Sequence, residues 1–373
     1  MSNSRFTLAI AKGESFCNRT REKNALNRNI ENNDHTVIIA TRRYGKTSLI
    51  SEVIRINEHK AVWFDFLKTI DAQDVINVLC QKLSVLVGEL TSDLSSIKGI
   101  IYKIFERYKP EFITNIYGQQ LRFTLPDKKS SPEDISDLLL SVDKLAVELK
   151  KKVVVVCDEF QQMAEIDKTG VVQAAIRHAA ERSENVAYVF SGSSRHMLEV
   201  LFMDKTKPLY RLCKIMKLHK IQIEHYYKFL TEAAVERWGK AIPEPDMYDL
   251  LIRMTERHPY YVNYLCLELW ENEEVPDIKT IEATWENIAQ EVMPYVKNDV
   301  KGLSANQKRV LTYLAKVNFG KTLDQETLLE IGVTNYSSAK QAIEYLVAKD
   351  VIYLDPLDNV YEMHDPVLRK YLS

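Results

Sequence analysis

Residues 36–48, TVIIATRRYGKTS, decide the fold of this chain. The run at 36–40, in which every residue but Ala40 is β-branched, predicts a buried strand, and the apolar spacing after Lys46 predicts a helix. A phosphate-binding loop between two such elements turns backbone N–H groups inward, and it needs a lysine for the β- and γ-phosphates and a hydroxyl for Mg²⁺. Gly45, Lys46 and Thr47 provide these elements. The stretch therefore predicts a nucleotide-binding loop, and the alternative is a chance glycine–lysine–threonine in a basic turn.

The other residues of the loop are expected to surround the phosphates; they are Thr41, Arg42, Arg43, Tyr44 and Ser48. The motif GxxxxGK[ST] has a glycine five residues before Gly45, where this chain has Ala40. The additional methyl group is tolerated if the φ angle of Ala40 is negative. We therefore expect nucleotide binding, and the sequence leaves the rate of hydrolysis open.

A second apolar run, at 153–157, ends in the adjacent carboxylates Asp158 and Glu159. Parallel strands bring their carboxyl ends to one edge of a sheet, so Asp158 is expected beside the phosphate-binding loop. We assign Asp158 and Thr47 to the Mg²⁺ ion, and Glu159 to orienting or deprotonating the attacking water. The alternative is an ordinary acidic turn at the end of a strand.

A third apolar run, at 186–190, leads into the segment SGSSR at 191–195. A hydroxyl or a cation at this strand end can touch the γ-phosphate, and Arg195 is the candidate cation. An N-cap cluster for a helix starting near Arg195 explains the serines equally well, and both interpretations can hold at once. Arg211 is a candidate arginine finger for phosphoryl transfer, with a solvated or salt-bridged arginine as the more common alternative.

Apolar strands alternate with amphipathic helices in the first part of the chain, which indicates a parallel sheet covered on both faces. Asp71 and Ser131 are predicted helix starts. Glycine and proline, at 11 residues each in 373, are too scarce for a turn-dense β-sandwich. We predict an α/β P-loop nucleotide-binding domain over 1–223, an all-helical lid over 224–300 and a C-terminal winged helix over 301–373.

Charge, cysteine usage and the length of the apolar runs give no reason to expect a nucleic-acid partner, a disulfide framework or a membrane protein. Lys and Arg number 50 against 52 Asp and Glu, so bulk charge gives no reason to expect nucleic acid or an anionic membrane. The five cysteines form no CxxC pair, as expected for a reduced cytoplasmic protein. No apolar run approaches the ~18 residues that a membrane span needs. We therefore expect a cytoplasmic protein that has no membrane partner.

Several segments together resemble the archaeal-type ATPases among the AAA+/STAND-like P-loop ATPases: TRRYGKTSL, CDEFQ, FSGSSRHM, PLYRL, HPYY and HDPVLRKYL. The resemblance implies ATP or ADP with Mg²⁺ and a role as a molecular switch or motor. It places Arg195 where relatives have a sensor arginine, and Pro259 where their lid approaches the nucleotide. Phe16 and Arg19 fall in FCNR, which resembles the F-x-x-R segment that leads toward the adenine in relatives. Arg257 stands where relatives often have glycine.

A winged helix suggests DNA, because its third helix can enter the major groove while the wing touches the backbone. That helix is expected at 336–349, with outward Ser337, Ser338, Lys340 and Gln341. The wing has Asp355, Asp358 and Glu362 in place of the basic residues that phosphates attract. DNA is therefore a possible partner that the sequence does not favour, and docking of protein or autoinhibition is favoured instead.

Histidine and tyrosine are interpreted as structural. His219, His225 and His258 lack the spacing of metal ligands and are expected to be structural or lid residues. The tyrosines at 226–227 and 260–264 are expected to pack the lid in preference to stacking on single-stranded nucleic acid.

The sequence thus predicts a Mg²⁺-dependent P-loop ATPase that acts as a nucleotide-dependent switch. Binding and slow hydrolysis of ATP are expected to be coupled to homo-oligomerisation or to engagement of an unidentified protein partner. One alternative is a DNA-binding protein regulated by ATP through its winged helix. The other is a signalling scaffold that binds nucleotide with little hydrolysis.

Overall fold

The computed structural model describes residues 5–90, 94, 96–115, 118–124, 131–320, 323–354 and 359–373. The chain forms two compact units, which we call the sheet unit and the helical unit. The sheet unit is Arg19–Arg42 with Lys46–Leu218, and the helical unit is Met1–Asn18, Arg43–Gly45 and His219–Ser373. The predicted division into three domains, with boundaries after residues 223 and 300, stays a prediction.

The strands of the sheet unit, within its described residues, are β1 (Thr36–Ile39), β2 (Lys60–Asp65), β3 (Glu111–Asn115), β4 (Gly118–Arg122), β5 (Val153–Asp158), β6 (Val186–Gly192) and β7 (Lys214–Lys217). All but β3 and β4 form a parallel sheet in the order β2-β5-β6-β1-β7. The strands predicted from the apolar runs at 36–40, 153–157 and 186–190 are confirmed. Such runs are typical of strands buried on both faces, and β1 and β6 are buried throughout.

The helices of the sheet unit, again within the described residues, are α1 (Thr20–Glu31), α2 (Lys46–Ile56), α3 (Ala72–Glu89), α4 (Lys98–Ile104), α5 (Pro132–Glu148), α6 (Met163–Ile166), α7 (Val171–Ala180) and α8 (Arg195–Met203). Both predicted helix starts are confirmed. The Asp71 side chain accepts a hydrogen bond from Asp74 N, and Ser131 forms a capping box with Asp134 before α5.

The helical unit contains, among its described residues, α9 (Ile223–Trp238), α10 (Glu244–Tyr248), a π-helix (Asp249–Met254), α11 (Pro259–Leu269), α12 (Ile278–Asp299), α13 (Ala305–Lys316), β8 (Phe319–Gly320), α14 (Gln325–Ile331), α15 (Tyr336–Ala348), β9 (Ile352–Leu354), β10 (Val360–Met363) and α16 (Pro366–Leu372). The elements from α13 to β10 have the order expected for a winged helix. The short strands form an antiparallel sheet in the order β8-β10-β9. Asp355 and Asp358 of the predicted wing lie outside the described residues.

The first described residues belong to the helical unit. Phe6 is buried, and its ring lies 4.5 Å from that of Trp270 and 5.7 Å from that of Phe229. Arg5 Nε lies 2.8 Å from Glu236 Oε2. These contacts, which the local sequence does not reveal, hold Arg5 and Phe6 against α9 and against Trp270 at the end of α11.

The register of the sheet determines where functional side chains emerge. Ile39 of β1 is opposite Gly192 of β6, and Cys157 of β5 is opposite Phe190. The phosphate-binding loop, the acidic pair and the serine segment therefore leave the sheet at the same edge. Ligands of open parallel sheets bind at the carboxyl ends of the strands, where the strand order reverses.

Within the described ranges, none of the helices combines the length and the apolar character that crossing a bilayer requires.

Candidate functional site

The phosphate-binding loop leaves β1 at Ala40 and enters α2 at Lys46. Gly45 has a φ angle of 84°, in the left-handed region that favours glycine, and a Cβ there would have open space around it. The backbone conformation, and not crowding, therefore requires this glycine. Ala40 is buried and its φ angle is not positive, so the condition for its methyl group is met.

Lys46 reaches back over the loop from the first turn of α2. Its side chain is buried with the residue 7% exposed, and Nζ donates hydrogen bonds of 3.1 Å each to the carbonyl oxygens of Ala40 and Thr41. The ammonium group is thus fixed over the loop by the loop's own backbone. A cation at this point, beside the N-terminus of α2, is suited to binding phosphate oxygens.

Asp158 lies at the centre of the polar contacts at this edge of the sheet. Thr47 Oγ1 donates to its Oδ2 over 3.1 Å, and Ser191 Oγ donates to its Oδ1 over 2.7 Å. The backbone N–H of Glu159 donates to the same Oδ1 over 3.0 Å. Thr47 and Asp158, which the sequence assigns to one metal ion, therefore lie in direct contact.

This pair fits Mg²⁺ by its chemistry. Both donors are hard oxygen atoms, and adjacent ligands of an octahedral Mg²⁺ at about 2.1 Å lie about 3 Å apart. Mg²⁺ in nucleotide sites usually takes one or two protein ligands, and phosphates and water complete its coordination. The described part of the chain contains no cluster of three or more His, Cys, Asp or Glu residues that could hold a metal ion.

Glu159, the candidate base, follows β5 with a left-handed φ angle of 52°. Its Oε2 accepts a hydrogen bond of 2.7 Å from Ser193 Oγ and one of 2.6 Å from Gln161 Nε2. Ser191 and Ser193 thus contact Asp158 and Glu159, respectively. The sequence interpretation includes the serine segment as a γ-phosphate contact but misses its contacts with the acidic pair. It includes Gln161 in the segment CDEFQ but gives it no role.

Comparison with known proteins assigns this arrangement to a family. A family model described as an ATPase domain predominantly from Archaea matches residues 16–265. The chain belongs to this family of archaeal ATPases. The resemblance inferred from the sequence motifs is therefore confirmed.

Solved structures show the same fold as this archaeal ATPase. The Walker-type ATPase of Pyrococcus abyssi has a TM-score of 0.68 and 19% identity, over 97% of this chain and 97% of that chain. The ORC2 protein of Aeropyrum pernix, in its ADPNP–ADP complexes, has a TM-score of 0.58 and 13% identity, over 95% of this chain and 92% of that chain. The comparison with curated proteins gives no match. At these identities the likeness concerns the fold alone.

Arg195 of the archaeal ATPase is the first residue of α8 and is half-buried. The side chain of Ser194 accepts a hydrogen bond of 3.4 Å from Met197 N, so the predicted N-cap is confirmed. The role of Arg195 as a sensor of the nucleotide stays a prediction.

Arg211 is an exposed cation on a well-supported turn. Its backbone has a left-handed φ angle of 58°, and its guanidinium lies 5.1 Å from the centre of the Tyr210 ring. Arg177 Nη1, on α7, donates to the carbonyl oxygens of Pro208 and Tyr210 over 2.5 and 2.9 Å. The sequence interpretation does not identify Arg177, because no local motif marks an arginine that binds carbonyl groups more than thirty residues away.

The two residues of the F-x-x-R segment have different surroundings. Phe16 is half-buried in the helical unit. Arg19 is buried in the sheet unit, and its Nη1 lies 3.3 Å from Glu22 Oε1. Asn18 and Arg19 have consecutive left-handed φ angles of 50° and 53°, which set the entry into α1. Contact of Phe16 and Arg19 with adenine stays a prediction.

The tip of the phosphate-binding loop, Arg43–Gly45, groups with the helical unit. The Arg43 guanidinium lies 4.2 Å from the centre of the Tyr260 ring, and the Tyr44 ring packs edge-on against His258 at 5.1 Å. Pro259, the predicted lid residue, is buried at the first position of α11. Arg42 and Arg43 are exposed, whereas Tyr44 is buried.

His258, the residue before α11, has a pKa that its surroundings shift strongly. Burial, with the positive charges of Lys220 and Arg43, lowers the pKa of His258 to about 3. His258 is therefore neutral at physiological pH and acts as a packing residue, as the sequence interpretation expects of a lid histidine.

Arg257 keeps the backbone conformation that glycine favours. The family resemblance implies that relatives often have glycine at this position, and here Arg257 has a left-handed φ angle of 55°. Its N–H donates to the Leu251 carbonyl over 2.7 Å, which closes the turn between the π-helix and α11. The departure from glycine therefore changes the side chain and leaves the backbone conformation in place.

Proposed function

We propose that this archaeal ATPase binds ATP with Mg²⁺ and hydrolyses it slowly. The observation that carries the proposal is the hydrogen bond between Thr47 and Asp158, which are 111 residues apart in the chain. It joins the phosphate-binding loop to the acidic strand end in the way that a nucleotide–metal site requires. The likeness to the ORC2 protein of Aeropyrum pernix, solved in complexes with ADPNP and ADP, supports nucleotide binding.

Each residue has a distinct part in the proposed binding mode. Lys46 binds the β- and γ-phosphates, and the N–H groups at the start of α2 face the phosphate oxygens. Thr41, Arg42 and Ser48 line the same loop. Thr47 and Asp158 would hold Mg²⁺, whose chemistry when bound is to neutralise charge on the transferred phosphoryl group.

Hydrolysis then depends on Glu159. The carboxylate orients a water molecule and accepts its proton, the water oxygen bonds to the γ-phosphorus, and the bond from the γ-phosphorus to the bridging oxygen breaks. ADP leaves with the electron pair of that bond. Arg195 and Arg211 are the candidate cations for the charge on the phosphoryl group, and Arg211, exposed on its turn, suits a nucleotide bound by another copy of the chain.

The tip of the phosphate-binding loop belongs to the helical unit, and we propose that it senses the nucleotide state. Arg43 and Tyr44 contact Tyr260 and His258 at the start of α11, so a change in the loop backbone displaces groups that α11 packs against. We infer a switch in which ATP and ADP favour different conformations of this contact. Oligomerisation or binding of a protein partner is the proposed output, in the cytoplasm.

DNA is a weaker candidate for that output. On α15, Ser337, Lys340 and Gln341 are exposed as predicted, whereas Ser338 is partly buried. Lys340 Nζ lies 3.8 Å from Glu344 Oε1, so the exposed face carries a carboxylate beside its cation. This composition gives less support to phosphate contacts than to protein docking.

Phosphate release and ATP binding together test the proposed function. We expect the native chain to release phosphate in the presence of Mg²⁺ and ATP, and Glu159→Gln to lower kcat by about 100-fold with little change in ATP affinity. The matched control is Glu165→Gln, which makes the same change at an exposed position on α6. Equal rates for native protein and Glu159→Gln would contradict the proposal.

Lys46→Met tests binding separately. It removes the ammonium group while filling similar volume, and we expect calorimetric titration with ATP to show affinity weakened at least about 100-fold. Lys168→Met, at an exposed position, is the control. Sizing the protein with ADP and with a non-hydrolysable ATP analogue tests the switch, and the same size with both ligands would remove oligomerisation as its output.

A further inference from the structure

Gln161 is a buried amide in direct contact with the candidate base. The residue is 5% exposed, and its Nε2 donates to Glu159 Oε2 over 2.6 Å and to Ser193 Oγ over 3.0 Å. Ser193 Oγ in turn donates to the same Oε2 over 2.7 Å. We call these three side chains the Glu159 triangle. Two donors thus bind one carboxylate oxygen, which fixes the rotation of the carboxylate group.

Gly192 provides the room that Gln161 needs. A Cβ atom at position 192 would lie 2.0 Å from Gln161 Oε1, far inside van der Waals contact. Its φ angle is not in the left-handed region, so the backbone itself does not require glycine here. Gln161 Cδ would lie 3.2 Å away, and the nearest atom of another residue, Leu198 Cδ1 at 3.4 Å, would be at the edge of ordinary van der Waals contact. The absence of a side chain at this position therefore serves the Gln161 amide.

The amide orientation also points to a role beyond packing. Gln161 Oε1 is buried, and within the described residues it has no hydrogen-bond partner. A buried acceptor without a donor is unfavourable, and an apolar side chain of similar size would avoid the cost. The gain from this amide therefore lies in the two hydrogen bonds that its Nε2 donates within the Glu159 triangle.

We propose that Gln161 is the positioning residue of Glu159, which it holds through Oε2 so that Oε1 faces the attacking water. The inference rests on the proposed function, since it assigns a partner to the base of that reaction. A positioned base contributes to the rate only while its oxygen stays within hydrogen-bond reach of the water, and a displacement of about 1 Å can cost 100-fold. Gln161 acts through Glu159 and does not itself touch the phosphates.

The first experiment replaces Gln161 by Leu. We expect kcat for phosphate release to fall at least about tenfold, while KM and the calorimetric Kd for ATP stay within about twofold of native values. Gln173→Leu is the matched control, because Gln173 is also buried in the sheet unit and donates to a backbone carbonyl, that of Asp167. The control should leave kcat unchanged, and thermal melting should show both variants folded.

Substitutions of Ser193 test whether a hydroxyl group at this position restores kcat, which a merely structural role would not predict. Ser193→Ala removes one donor to Oε2 and is expected to lower kcat about tenfold, whereas Ser193→Thr keeps the hydroxyl and should retain most of the rate. If Gln161→Leu fails to fold, this pair tests the triangle by itself. Equal rates for the Ala and Thr variants would overturn the inference.

A double-mutant cycle tests the contact between positions 161 and 192. Gly192→Ala should lower kcat, because its methyl group displaces the amide of Gln161. In a Gln161→Ala background the amide is absent, so adding Gly192→Ala should have no further effect on kcat. If the two substitutions instead lower kcat by factors that multiply in the double variant, Gly192 acts independently of Gln161. That result would overturn the inference.

These outcomes separate the two proposals. If Glu159→Gln abolishes hydrolysis while Gln161→Leu and Ser193→Ala match the native rate or exceed it, the positioning role fails and the ATPase proposal stands. If the native chain releases no phosphate at all, both proposals fail.

Discussion

The hydroxyl group of Tyr261, on α11, donates a hydrogen bond of 2.7 Å to Asp365 Oδ2, 104 residues further along the chain. Asp365 is the N-cap of α16, and its Oδ1 accepts from the backbone N–H groups of Val367 and Leu368. Burial raises the pKa of Asp365 above its usual range. This hydrogen bond therefore connects α11, which begins beside the contacts of Arg43 and Tyr44, to α16.

Loss of this hydrogen bond should destabilise the protein. We expect Tyr261→Phe to lower the free energy of unfolding by about 1–2 kcal/mol, because the buried Asp365 carboxylate loses a donor. Urea denaturation measures the change. Tyr248→Phe, at a position 45% exposed, is the control and should change the free energy by less than about 0.5 kcal/mol. Equal effects of the two substitutions would contradict the prediction.

Arg257→Gly should stabilise the protein, in contrast to Tyr261→Phe. A non-glycine residue in the left-handed region carries a cost of about 1 kcal/mol, which glycine avoids, although glycine gives up some entropy in the unfolded chain. We expect the free energy of unfolding to rise by about 0.5–1 kcal/mol in the same assay. Arg257→Ala keeps the strained φ angle, so it should give no such gain. A gain in both variants would instead assign the effect to loss of the arginine side chain.

Acid should destabilise the archaeal ATPase through two buried histidines. The folded-state pKa of His258 is lowered to about 3, and burial also lowers the pKa of His35, which accepts from Tyr188 N through Nδ1 and contacts the Ala180 carbonyl through Nε2. A lowered pKa means that the unfolded chain binds the proton more tightly. The stability is therefore fully present above the unfolded-state pKa of about 6.5, and it is lost as the pH falls from there toward the folded-state values.

The measurement compares the free energy of unfolding at pH 7 and pH 5. We expect His258→Phe to lose about 1–2 kcal/mol less than the native chain over this range, since phenylalanine cannot take up the proton. His196→Asn, at an exposed position of α8, should follow the native curve. A His258→Phe curve parallel to the native one would show that this histidine does not contribute.

Ser191→Ala should raise the Mg²⁺ requirement. Its hydroxyl orients Asp158 by a hydrogen bond to Oδ1, and loss of such a supporting contact typically weakens a metal site by about tenfold or more. The concentration of Mg²⁺ that gives half-maximal phosphate release should increase accordingly, with kcat at saturating Mg²⁺ less affected. Ser194→Ala, which removes the N-cap of α8, should leave the Mg²⁺ requirement unchanged.

Much of the sheet unit could be predicted from sequence because its signals are local. The run at 153–157 is apolar enough to specify a strand buried on both faces, and a capping box marks the start of α5. The hairpin of β3 and β4 and the edge strand β7 could not be predicted in this way. Edge strands and two-stranded hairpins are stabilised by packing against neighbouring elements. Their own sequences therefore show a weaker hydrophobic periodicity.

The candidate site likewise has residues that a local motif specifies and residues that only the strand register brings together. Gly45, Lys46 and Thr47 are specified by a contiguous motif, because a loop of this type uses its own backbone and adjacent side chains to bind phosphate. The partners of Asp158 and Glu159 depend on the register between β5 and β6, which brings Ser191 and Ser193 to the acidic pair.

The sequence by itself determined the family, the parallel sheet and the positions of the glycine–lysine–threonine loop and the acidic pair, for which we propose phosphate and metal binding. Only the tertiary structure decided that Gln161 and Gly192 belong beside Glu159, that Arg177 supports the Arg211 turn and that Tyr261 binds Asp365. The physical reason is that backbone conformation and phosphate binding are encoded over a few neighbouring residues. Hydrogen bonds between side chains distant in sequence arise only after the core has packed and fixed the strand register.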